Sequence, residues 1–79
     1  MTKETFFVVQ VPAGTTPRRW GRMHAERLGF DYDNNSSKRK QVLVWPNGVT
    51  AWMLAQRLRA AKVMFMTFTA DPKKMFGIE

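Results

Sequence analysis

The sequence predicts an α+β fold built from two strand–turn–helix units, and three observations carry that prediction. The first is an internal echo. Val9-Gln10-Val11-Pro12-Ala13-Gly14-Thr15-Thr16 is matched by Leu43-Val44-Trp45-Pro46-Asn47-Gly48-Val49-Thr50, thirty-four positions later. Each copy reads apolar run, Pro, any residue, Gly, any residue, Thr, and a helix-like stretch follows each. Duplicated supersecondary units restrict the folds open to a short chain. The second observation is that β-rich runs alternate with helix-forming stretches. The third is length: 79 residues make a single domain, 1–79, with 71–79 expected as a looser tail.

The elements follow in order. Thr5 to Val11 is rich in Phe and Val and stops at Pro12, which reads as a strand. Thr16 is placed to cap a helix with Pro17 in its first position, and Gly29 is placed to end it after Leu28. Gly21 inside that helix costs roughly 1 kcal/mol relative to Ala, and close packing would explain its presence. Phe30 to Asp33 reads as a short strand, and the Asn and Ser residues at 34–37 as a loop. Lys38 to Trp45 reads as the third strand. Thr50 caps a second helix, Ala51 to about Lys62. Val63 to Thr69 reads as the last strand, ended by Asp71-Pro72, and Met75, Phe76 and Ile78 could pack back from the tail.

The order β-α-β-β-α-β is that of a ferredoxin-like sandwich, a four-stranded antiparallel sheet with two helices on one face. The first and third strands are expected side by side and parallel. That would bring the turns 12–16 and 46–50, and both helix N-termini, to one end of the sheet as an anion-attracting site. Element order and length also resemble those of the RNA recognition motif. The stretch Lys38-Arg39-Lys40-Gln41-Val42-Leu43-Val44-Trp45 has the bases of that family's third strand but only one aromatic. The resemblance therefore implies the fold order and not the base-stacking mode.

Charge points to a class of partner. The chain carries a net charge of +7. No acid occurs from Asn34 to Ala70, a segment that holds Lys38, Arg39, Lys40, Arg57, Arg59 and Lys62. Clustered bases of this kind are the footprint of a polyanion binder. The expected phosphate contacts are Lys38, Arg39 and Lys40 on the loop, with Arg18, Arg19 and Arg22 at the start of the first helix. The three arginines oppose their own helix dipole, which suits them to a negative partner. The bases near the end of the second helix are stabilised by its dipole and need no partner.

Two helices cover one face of a sheet, and the strands here are apolar on both sides. The uncovered face is expected to present large apolar groups, with Phe6, Leu43, Trp45 and Phe65 as the candidate interface. A tail, a second copy of the chain forming a homodimer through the sheet face, or stacked bases could cover it. Trp20 and Trp52 are expected in the core.

Chemistry beyond binding is not expected. The chain has one histidine, His24, and no cysteine, which leaves no thiolate metal site and no His–Cys relay. Asp31 and Asp33 share a strand face and could hold magnesium, but a charged edge that resists pairing is the stronger expectation. No glycine-rich nucleotide loop is present. The sequence is therefore read as non-catalytic, with no cofactor and no metal. Absent cysteines, absent signal-like or spanning segments and the basic composition fit a cytoplasmic, reducing location. The leading expectation is a small protein that binds DNA or RNA through phosphates. The alternative is a protein–protein regulator or inhibitor, such as a virus-encoded factor, that docks a basic or apolar surface onto an acidic surface of a larger complex.

Overall fold

A computed structural model describes residues 3–33 and 40–76. The elements are β1 (Glu4–Gln10), α1 (Pro17–Leu28), β2 (Phe30–Tyr32), β3 (Gln41–Pro46), α2 (Ala51–Ala60), β4 (Phe65–Ala70) and a short α3 (Pro72–Phe76). The four strands form one antiparallel sheet in the order β2-β3-β1-β4. The protein is an α+β fold.

The two copies of the echo adopt the same local geometry. Gly14 and Gly48 sit at φ 94° and 81°, a region open to glycine at little cost. Thr16 Oγ1 then accepts the Arg19 amide at 3.2 Å, and Thr50 Oγ1 accepts the Met53 amide at 3.1 Å. Each hydroxyl satisfies one of the amides that a helix start leaves unpaired. Gly29 ends α1 at φ 85° and donates its amide to the Ala25 carbonyl. A Cβ there would lie 2.8 Å from Val49 Cγ1, so packing excludes one as well.

The strand directions correct one expectation. β1 and β3 are neighbours but run antiparallel, with Phe7 opposite Val44 and Gln10 opposite Gln41. The turns at 12–16 and 46–50, and the two helix N-termini, therefore lie at opposite ends of the sheet. The hairpin dictates this. β2 runs with β1 because a helix crosses between them, and β3 must reverse against β2.

α2 is shorter than expected. It ends at Ala60, and Lys62 takes φ 60°. The Lys62 amide donates to the Arg59 carbonyl and the Val63 amide to the Leu58 carbonyl. This is the Schellman closure, with lysine in the left-handed position that glycine normally fills. The chain after Asp71 is ordered as α3, where the sequence suggested only a tail. Asp71 Oδ1 accepts the Lys73 amide at 3.0 Å, with Pro72 at the helix start. Ile78 and the side chains of Met75 and Phe76, expected to pack back, lie outside the described residues.

The main core lies between one sheet face and the helices. Phe7, Val9, Val11, Val42, Val44 and Phe30 meet Trp20 and Leu28 of α1 and Leu54 and Leu58 of α2. Trp20 stacks on Phe30 with ring centroids 5.5 Å apart. Trp52 departs from the expectation. It is 68% exposed, because the buried stripe of α2 runs through Leu54 and Leu58 and position 52 falls outside it.

Candidate nucleic-acid interface

The antiparallel register brings Lys40 and the arginines at the start of α1 to one end of the sheet. The Val11 amide donates to the Lys40 carbonyl at 2.9 Å, tying the end of β1 to the start of β3. The chain leaves β1 there, turns, and enters α1 with Arg18, Arg19 and Arg22 in its first two turns. All three arginines and Lys40 are exposed. Lys40 stands at φ 54°, a left-handed residue immediately before β3. Lys38 and Arg39, which precede it in the chain, lie outside the described residues.

Two further bases reach this end from the opposite side. The Gln10 amide donates to the Met64 carbonyl at 2.9 Å, which places Lys62 close by. The Arg59 guanidinium sits 5.7 Å over the Phe65 ring, and Phe65 is opposite Val9. From the sequence, the helix dipole explains these two bases without a partner. Their proximity to Lys40 depends on strand pairing and is not readable from α2.

Four of the described acids, Glu4, Glu26, Asp31 and Asp71, lie elsewhere, and Asp33 stands at the β2 side of this end. Glu4 is opposite Ala70, and Asp71 follows it. Glu26 is in the last turns of α1. Asp31 is opposite Trp45 and accepts a hydrogen bond from Asn47 Nδ2 at 3.1 Å. Asp33, nearest to the loop, pairs its amide with the Leu43 carbonyl at 3.0 Å on the β2 side. Among the described residues, no cluster of three His, Asp or Glu side chains is arranged to hold a metal ion.

His24 lies on α1 beside the basic end. Its Nδ1 accepts from Arg27 Nη2 at 2.7 Å, and its ring lies 5.1 Å from Trp20. Partial burial, and then the adjacent Arg27 charge, hold the imidazole below its ordinary value of 6.5.

The apolar candidates divide between the two faces. Phe6, Leu43 and Trp45 lie on the face away from α1 and α2. Phe65 lies on the other face, against Phe7 at 5.5 Å, because it is opposite Val9 and shares that residue's side. Phe68, not Phe65, is the aromatic of β4 on that outer face, stacked on Phe6 at 5.6 Å. Phe6 is only 1% exposed, between Trp45 and Phe68, and offers no docking surface. The large apolar groups most exposed there are Met64 and Met66, at 72% and 73%, with Phe68 at 37%.

Among the described residues, no helix is long and apolar enough to cross a membrane. Comparison with protein-family models, with curated proteins and with solved structures finds no match to this chain.

Proposed function

We propose that this chain is a small, non-catalytic nucleic-acid-binding protein of ferredoxin-like βαββαβ architecture that grips phosphates with one end of its sheet. The observation that carries the reading is the juxtaposition of Lys40 with the start of α1 through the Val11–Lys40 hydrogen bond. It gathers Arg18, Arg19, Arg22, Lys40, Arg59 and Lys62 at an end where Asp33 is the one described acid. Lys38 and Arg39 precede Lys40 in the sequence.

The mechanism is charge neutralisation. Each base that meets a phosphate releases condensed counterions, so affinity rests on salt more than on base sequence. Side chains of Arg18, Arg19 and Arg22 project from a rigid helix, which fixes their spacing along a backbone. Among the described residues, nothing on this end resembles an aromatic stacking platform, so sequence readout is weak.

The test is a titration of labelled single- and double-stranded DNA and RNA. Salt is set at about 50 and 200 mM, a range over which six to ten phosphate contacts cost roughly 10³–10⁵ in affinity. The variant Arg18→Ala/Arg19→Ala/Arg22→Ala runs alongside. Binding that weakens steeply with salt and with the triple substitution supports the reading. Absence of binding at the lower salt overturns it.

A second reading, that of a protein–protein regulator, is favoured by a different observation. Met64, Met66 and Trp52 are exposed around β4, a surface with no role in phosphate binding.

A further inference from the structure

Trp52 stands on α2 with 68% of its surface exposed, although tryptophan is highly buried on average. It belongs to a stripe. Trp52, Ala55 and Arg59 recur at i, i+3 and i+7, one face of the helix, beside the buried Leu54 and Leu58. This face and the helix side of the sheet border an open groove of about 660 Å³, lined by Trp52, Ala55 and Arg59 from α2 and by Phe65 and Thr67 from β4. Ala55 is small, so space remains between the two large side chains on either side of it.

The chain path gives the groove two unlike ends. α2 finishes at Ala60, and the chain passes Lys62 before entering β4 at Phe65. Arg59 therefore stands at the basic end, exposed and with its guanidinium 5.7 Å over the Phe65 ring. Trp52 stands two helical turns away, a rise of about 10 Å. Among the described residues, no acid lines the groove. Glu4 shares the outer side of β1 with Phe6, because side chains alternate along a strand. Asp71, past the end of β4, turns its carboxylate to the Lys73 amide.

We propose that this groove receives single-stranded nucleic acid, with one base stacked on the Trp52 indole and with Arg59 and Lys62 on the phosphates that lead from the basic end. The inference rests on the phosphate-binding reading above and specifies its ligand. A paired base shows only its edge, whereas an unpaired base offers a π-face that any indole can stack on, whatever the base. A positive groove joined to an aromatic platform is the arrangement that holds single strands without reading their sequence. Continuity with the basic end, and the lack of a lining acid, favour this occupant over an apolar peptide.

The test uses oligodeoxythymidylate, which does not pair with itself, beside a duplex of equal length, both at about 50 mM salt. The unmodified protein is expected to bind the single strand with quenching of its tryptophan emission. Trp52→Phe keeps a stacking ring, so it should retain most of the affinity and lose the quenching. Trp52→Ala should weaken single-strand binding about tenfold or more, as the loss of one stacked base does, while duplex affinity and the salt slope stay unchanged. A Trp52→Ala variant that melts as a folded protein and binds the single strand undiminished overturns the proposal and leaves the groove to a peptide of a partner protein. Equal losses on single strand and duplex overturn it too, because a merely structural role would move both. If Trp52→Ala does not fold, Trp52→Phe decides alone, and quenching that persists in it is the adverse result. Failure of the underlying reading looks different. Neither nucleic acid then binds at this salt, and the proposal falls with it. Failure of the proposal by itself leaves both bound, with their dependence on Arg18, Arg19 and Arg22 intact.

Discussion

Gly21 of α1 faces the ring of Tyr32 on β2 so closely that a Cβ at position 21 would lie 2.7 Å from Tyr32 Cδ2. The helix accepts a poor helix former because nothing larger lets β2 approach. Gly21→Ala gains about 1 kcal/mol of helix propensity but meets an overpacking cost of typically 1–3 kcal/mol. A net loss is expected, read as a lower melting temperature. In the Tyr32→Ala background the same substitution should become neutral or stabilising, and equal loss in both backgrounds would discredit the contact.

The two threonine caps make the same bond at opposite ends of the sheet. Thr16→Ala and Thr50→Ala should each cost about 1 kcal/mol. Sites that share no partner add to within about 0.5 kcal/mol, so the double variant should show the sum. Denaturant melts of the four proteins test this. Strong coupling between the two positions would contradict the antiparallel placement of β1 and β3.

His24 gives stability a pH dependence of defined sign. Its folded value lies below 6.5, so between that folded value and 6.5 the unfolded chain binds more protons than the folded one. The histidine's contribution is complete above 6.5 and is lost as pH falls through that window. Protonation also removes the acceptor that Nδ1 offers to Arg27. His24→Gln should flatten the stability profile in that range and leave the rest unchanged.

Lys62 separates stability from binding. It holds φ 60°, where a side chain costs roughly 1–2 kcal/mol that glycine avoids. Lys62→Gly should raise the melting temperature while weakening phosphate binding and reducing its salt dependence. A variant that is stabilised and binds unchanged would remove Lys62 from the interface.

Local chemistry was legible, and pairing was less so. The Pro-x-Gly-x-Thr echo announced both turns and both caps because a left-handed glycine and a capping hydroxyl are chosen by their own few residues. The Gly21 contact was readable as a penalty awaiting a reason. The direction of β3 depended on its hairpin with β2, a non-local relation that the echo, taken alone, misrepresented. The size of Trp52 suggests the core, but its position off the Leu54–Leu58 stripe decides its exposure. Asp71-Pro72 ends a strand and is equally a sound helix start. The joining of Arg59 and Lys62 to Lys40 runs through Met64 and Gln10, and no periodicity in α2 carries it.

The uneven placement of charge has a consequence for motion. The protein is 38 Å in its longest dimension, several times the screening length of about 8 Å at physiological ionic strength. A nearby polyanion therefore acts on the closer part of the surface and not on the molecule's average. If the protein binds phosphates as proposed, the bases around Lys40 and Arg18 would add a torque to the attraction and turn it basic end first during approach, which would raise the fraction of collisions that succeed.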